Sequence, residues 1–315
     1  MRIKILPKFI YSGLILLAVI FSVSVFLGEF SPRFSQSGKF KNNYPGEVGQ
    51  AGADGKAMII KLADNFFNRE VFFNAVEKAE KTGVKDNIQA VIVPHHLVVA
   101  EYIAKLIKEA SGRPINKAVI IGPNHNNIGT SPLITAKIDW ETPFGSLNYD
   151  PMLVNKFLAD FNGNSYPEVF TNEHSIGAII PFVKYYLKNI RVVPIVVSSY
   201  VQYSDIEKLS EWLNENIDSN TLVIYSIDFS HYLREEEADQ KDEVTKALII
   251  EKDIGKILKL DNDYVDSPGI LALSLMHATN RELKINFVYQ GNSFDFAAIK
   301  PEATTSYFGI SFQNK

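Results

Sequence analysis

The sequence predicts an α/β fold, a largely parallel central sheet with helices on both faces, carried by a single domain over residues 57–315. Three observations predict it. Four short apolar runs rich in β-branched residues, Ala90–Val93, Ala118–Ile121, Val192–Val197 and Leu222–Ile227, stop in polar or Gly/Pro text as buried strands do. Helical patterns lie between them at Val98–Ala110, Ile176–Leu187 and Ile206–Ile217, with a longer stretch around Glu235–Leu258. Strands alternating with helices imply right-handed crossovers and a sheet covered on both faces, and roughly 250 residues can bury one such core.

Taken in chain order, the first element is an uncharged run from Phe9 to Phe26, close to the length of a membrane-crossing helix, preceded by Arg2, Lys4 and Lys8. Cations before an apolar run describe an uncleaved signal anchor or a cleaved signal peptide, assigned to residues 1–30; a buried core helix is the third reading. Either of the first two sends the rest of the chain across the membrane. The expectation is therefore a membrane-anchored protein with its domain extracytoplasmic, or a secreted or periplasmic one after cleavage. Residues 31–56, rich in Gly, Ser, Asn and Pro and without apolar period, read as a flexible tether. In Asn65–Lys81, Phe66, Phe73, Val76 and Ala79 fall on one face of a helical period, which predicts an amphipathic helix packed on the domain.

Composition narrows the function. With 46% hydrophobic and 22% charged residues the 315-residue chain is of globular type, and Lys+Arg 32 against Asp+Glu 36 leaves no basic field to draw nucleic acid. No nucleic-acid partner is expected. The absence of cysteine excludes disulfides, thiolate nucleophiles and sulfur-ligated metal sites, so any metal must use histidine, carboxylate or water.

The histidines carry the strongest signal. Pro94-His95-His96 follows the first predicted strand, Gly122-Pro123-Asn124-His125 the second, and Asp228-Phe229-Ser230-His231 the run that ends at Ile227. In an open α/β sheet the ligand crevice lies outside the carboxyl ends of the strands, so three segments deliver imidazoles to one rim. Imidazole is a common metal ligand and the usual general base near neutral pH, and Asp228 is placed to orient a neighbouring histidine. A single histidine after a strand is more often an ordinary loop residue; three strand ends together are not. His277 sits in an apolar helical run and reads as a core histidine.

In order and spacing, PHH, GPNH, TPFG (Thr142–Gly145), NEHS (Asn172–Ser175), VVPIVV and SIDFSH resemble the MEMO-like proteins, the AmmeMemoRadiSam system protein B family, from about Val91 to the C-terminus. That family in turn resembles the class III extradiol dioxygenases, which use non-haem iron. The resemblance carries the family's motif histidines onto His95, His125 and His174, and its Asp and His onto Asp228 and His231, while His96 stands where the family has a small residue. Where a metal role is described in the family, a cysteine before a late helix joins the first two histidines. Here Asp266 of Tyr264-Val265-Asp266-Ser267-Pro268-Gly269 is the natural substitute.

The implied metal set is His95, His125 and Asp266, holding a divalent first-row metal such as Fe(II), because two imidazoles and a carboxylate with open positions make the facial triad of non-haem iron enzymes. Asp266-Ser267-Pro268 also reads as a helix cap, and Glu173-His174-Ser175 as a helix start, neither of which needs a metal. The implied catalytic set is His231 as acid/base oriented by Asp228, with His174 for proton transfer or substrate binding. Two functions follow: a metal-dependent oxidoreductase or hydrolase of a small molecule, or a non-catalytic module holding a peptide or anionic ligand, as described for some MEMO-like proteins.

Overall fold

The computed structural model describes residues 60–296 and 300–315. The expected anchor and tether lie outside these residues. Among the described residues no helix is long and apolar enough to cross a membrane.

The strands are β1 (Ile60–Ala63), β2 (Ile88–Val93), β3 (Lys117–Pro123), β4 (Leu133–Thr135), β5 (Ile138–Thr142), β6 (Gly145–Tyr149), β7 (Arg191–Val197), β8 (Thr221–Ser226), β9 (His231–Leu233), β10 (Lys284–Asn292) and β11 (Thr304–Gln313). They form one sheet in the order β1-β5-β6-β7-β3-β8-β2-β11-β10, with β4 on β7 and β9 on β11. The expected apolar runs are β2, β3, β7 and β8, which form its parallel centre. The α/β class holds, but the sheet is mixed: β5 runs antiparallel to β6, and β11 to both β2 and β10. Strands β5, β6 and β10 have partly exposed, polar-interrupted text rather than continuous apolar runs, as strands with an open face do, whereas β11, between β2 and β10, is mostly buried but mixes polar and aromatic residues.

Alternation along the central strands sends Val91 and Val93 into one apolar cluster and Ala90 and Ile92 into another, so each sheet face has its own core. Helices Arg69–Ala79, Ala100–Ala110 and Ile180–Tyr186 cover the first face; Tyr203–Asn216 and Pro268–Asn280 cover the second. Helix Arg69–Ala79 is capped by the Asn68 side chain, which accepts the Val71 N–H. Its buried face is Phe72, Ala75, Val76 and Ala79, whereas Phe73 is exposed. The expected face was therefore off by one position at the phenylalanines, because Phe66 precedes the cap and does not set the helical phase.

Register fixes where the site forms. Val93 pairs with Ser226, Ile121 with Tyr225 and Pro123 with Val197, so the central strands finish level with one another. The residues that follow β2, β3 and β8 emerge side by side.

Candidate functional site

Three imidazoles meet at that rim. The ring centroids of His95 and His125 are 5.1 Å apart, those of His95 and His174 5.0 Å, and those of His125 and His174 4.1 Å with nearly parallel planes. One nitrogen from each lies within 4.8 Å of the other two, a group able to hold a metal ion.

Each ring is held from behind. His95 is buried, its N–H donates to Asp228 Oδ1 at 3.1 Å, and its Nδ1 lies 3.1 Å from Ser226 Oγ at the end of β8. With Nδ1 turned to that hydroxyl, Nε2 faces the cluster and its carboxyls. His125 is held more firmly: the buried Glu173 carboxylate accepts its backbone N–H at 2.9 Å and its Nδ1–H at 2.8 Å. Burial works to raise the Glu173 carboxyl, but its bonds to the His125 ring and to the Ser175 and His125 N–H groups outweigh it and hold the group below the usual glutamate range. An ionised carboxylate behind one ring nitrogen leaves the other as the ligand, the pattern of metal-bound histidines. Asn124, whose side chain accepts the Ile128 N–H at 3.1 Å and donates to its carbonyl at 2.8 Å, closes the loop that carries His125.

His174 opens the short helix His174–Gly177, and the preceding Glu173 both caps that helix and grips His125. Ser175 Oγ donates to the Pro123 carbonyl at 2.8 Å, and a Cβ on Gly122 would lie 2.6 Å from that hydroxyl oxygen. Only glycine lets the end of β3 approach this helix so closely.

Behind the imidazoles lie two carboxyls. Asp228 donates its N–H to Asp266 Oδ2 at 3.1 Å while Asp266 donates its own to the Asp228 carbonyl at 3.1 Å. His95 Nε2 is 3.4 Å from Asp266 Oδ2 and 3.6 Å from Asp228 Oδ2. Burial raises Asp228 to about 7, and burial followed by the charge of Asp228 raises Asp266 well above the usual range. The histidines move the other way. Burial, then the neighbouring imidazoles, holds His95 well below its ordinary value, and burial lowers His174 and His231 to about 4. His95, His174 and His231 are therefore neutral imidazoles at pH 7, the form that binds metals.

Every residue expected at the site is at this rim, with two changes of role. Asp228 contacts His95, whereas His231 Nδ1 is buried without a hydrogen-bond partner, so the expected Asp228–His231 pairing is absent. His231 instead begins β9, which pairs with β11 and turns the ring toward the crevice shared with His125 and Asp266. Asp266 is not the helix cap: Ser267 occupies that position before Pro268. Its Oδ1 is buried and without a partner. His277 is remote, with Nδ1 2.8 Å from the Tyr225 hydroxyl, as expected of a core histidine. The sequence reading lacked Ser226 and Glu173 as ring supports and Tyr307, whose hydroxyl is 2.6 Å from His96 Nδ1. Glu173 was within reach as an acid beside a motif histidine; Tyr307 was not, because its strand was not recognised.

A MEMO1 family protein of Aquifex aeolicus is 32% identical over 161 residues, 50% of this chain and 59% of that one. One of Pyrobaculum aerophilum is 28% identical over 207 residues, covering 62% of this chain and 71% of the relative. One of Metallosphaera sedula is 27% identical over 232 residues, covering 70% and 80%. The family model described as Memo-like protein matches residues 66–299, from before the first described helix to beyond the last motif, and the chain belongs to that family.

Proposed function

We propose that the crevice holds a divalent first-row metal and acts on a small molecule as a non-haem metal-dependent oxidoreductase. The observation that carries this reading is the approach of one nitrogen from each of His95, His125 and His174 to within 4.8 Å of the others. The donors fit such an ion: the imidazoles of His95 and His125, supported through their far nitrogens, and a buried Asp266 oxygen with no partner inside the protein. His95, His125 and Asp266 form the proposed two-imidazole, one-carboxylate set, which suits Fe(II), and His174 is close enough to serve as a further nitrogen. Bound there, a metal supplies a Lewis-acid and redox centre with positions open to a ligand.

The chain's own residues have separate tasks. Glu173 and Ser226 fix the rings of His125 and His95, and Asp228 positions His95 through its backbone N–H. His231, neutral and with a partnerless Nδ1 in the crevice wall, is the group placed to accept a proton from a bound molecule. Addition of Co(II) to chelated protein tests the site, because imidazole ligation shifts and strengthens the visible absorption bands relative to those of the hydrated ion. The bands should appear with wild type and be lost in His125→Ala; equal spectra for the two would reject the imidazole site.

The uncharged run Phe9–Phe26 after Arg2, Lys4 and Lys8 supports a membrane-anchored protein whose single domain, residues 57–315, is extracytoplasmic. Protease added to intact spheroplasts should then digest the domain. Full protection until the membrane is opened would place it on the cytosolic side.

A further inference from the structure

At the opposite end of the sheet from the imidazoles, where β3 and β7 begin, lies an open pocket of about 510 Å³. The seven-residue length of β3 sets it about 20 Å from the imidazole rim. Lys117, Lys184, Lys188 and Arg191 line it, and of its lining residues Asp150 alone is acidic. That carboxylate is buried and occupied, its Oδ1 accepting the Leu153 N–H at 2.9 Å as the cap of helix Pro151–Asp160. Lys117 is answered from outside the lining by Asp218, 2.8 Å from its Nζ. Lys184, Lys188 and Arg191 have no ion-pair partner among the described residues. The contacts of Lys184 and Arg191 are to carbonyls, Lys184 Nζ donating to that of Lys188 at 2.8 Å and Arg191 Nη1 to that of Tyr149 at 3.3 Å.

The fold places these cations. Arg191 is in register with Lys117 of β3 on one side and with Asn148 of β6 on the other, and its backbone N–H donates to the Asn116 carbonyl at 3.0 Å. Like charges side by side on adjacent strands repel, a cost that an anion between them offsets. Lys184, from helix Ile180–Tyr186, packs on the TPFG turn: its Cε is 3.7 Å from where a Cβ on Gly145 would stand, and Gly145 closes that turn at a φ of +101°. With its stem on the turn and its Nζ on the Lys188 carbonyl, this ammonium is held at the pocket and does not swing free in solvent. The side-chain amides of Asn116, Asn148 and Asn189 add neutral donors to the lining.

Three cations without carboxylate partners suit a group with more than one negative charge, and the planar fork of Arg191 matches two oxygens of a phosphate. We propose that this pocket is a second ligand site, separate from the imidazole crevice, and that it binds a phosphate-bearing group through Arg191, Lys184 and Lys188. It needs no metal and is independent of the reading of the imidazole rim.

Calorimetric titration of pyrophosphate into the full-length protein in neutral detergent tests the proposal, with acetate as the singly charged comparison. Pyrophosphate should bind about tenfold or more tighter than acetate, with the affinity falling as salt is added. Arg191→Gln should weaken it about tenfold or more, and Lys188→Gln, at an exposed position, about threefold. Lys259→Gln removes an exposed cation beside the crevice at the other rim and should leave the affinity within about twofold of wild type. The event lost in Arg191→Gln should persist in His125→Ala, as phosphate held at the imidazoles would not, and metal content should be the same in Arg191→Gln as in wild type. Phosphatidylglycerol added to the detergent separates two sources of the phosphate: it competes with pyrophosphate where a lipid headgroup takes the pocket and leaves the affinity unchanged where the ligand is soluble, and either result keeps the site. Failure of pyrophosphate to bind, acetate binding as tightly, an unchanged affinity in Arg191→Gln, an equal loss in Lys259→Gln, or loss of the event in His125→Ala overturns the proposal.

Discussion

Glu173 accepts the Nδ1 proton of His125 at 2.8 Å, and the same carboxylate holds the backbone N–H of His125 and of Ser175. One buried acid thus ties the loop after β3 to the helix that begins at His174, and sets which nitrogen His125 offers. Replacing it by Glu173→Gln keeps an acceptor but removes the charge. Metal affinity should fall about 10–100-fold with the melting temperature changed much less, as for other supporting groups behind ligand histidines. Titration of chelated protein with Zn(II) measures this, and an affinity equal to wild type would show that the carboxylate serves the fold alone.

The approach of Gly122 to Ser175 makes a second prediction. In Gly122→Ala the new methyl would sit 2.6 Å from Ser175 Oγ and 2.7 Å from its Cβ, so strand and helix must separate. A cost of about 1–3 kcal/mol is expected, together with weaker metal binding, because the shift moves His125 relative to His174. Denaturant unfolding and metal titration on one sample read both effects. A stable variant with full metal affinity would show that this contact does not set the site.

Helix Arg69–Ala79 provides a paired test. Phe72 is 2% exposed and lies 4.7 Å from the Phe182 ring, whereas Phe73 is 42% exposed. Phe72→Ala should cost about 3–5 kcal/mol, and Phe73→Ala well under half of that. Comparable losses would mean that the helix is rotated from the position described.

A pH dependence follows from His277. Burial lowers its pKa to about 4, against 6.5 when exposed. Between these values the unfolded chain binds a proton that the folded chain does not, so stability falls as pH drops from 6.5 toward 4, by up to about 3 kcal/mol from this group. His277→Gln should therefore show a shallower loss of stability over that window by about one proton. Parallel curves for wild type and variant would assign the acid sensitivity to other residues.

The parts of this molecule legible in its sequence are those whose residues have one physical reason to be there. Strands β2, β3, β7 and β8 are buried on both faces and read as continuous apolar runs, and the histidines stand directly after three of their positions in the sheet edge. Strands β5, β6, β10 and β11 mix polar and aromatic residues because they flank the sheet or pair antiparallel, and so carry no comparable signal. The same division runs through the site. His95, His125 and His231 announce themselves by type and position, His174 and Asp266 are reached only through the family resemblance, and the partner of each ring depends on the chain's path in space. That is why Asp228, three residues from His231, serves His95, which is remote in sequence.

The rim of imidazoles with Asp266 is the proposed metal site. Elemental analysis of protein purified without a histidine tag, for wild type, His125→Ala and Asp266→Ala side by side, tests it most directly. About one first-row metal per wild-type chain is expected, with a large loss in both variants and folding retained because neither change removes buried apolar surface. Equal metal content in all three proteins, or a wild type that takes up none when Fe(II) or Zn(II) is supplied, would contradict it.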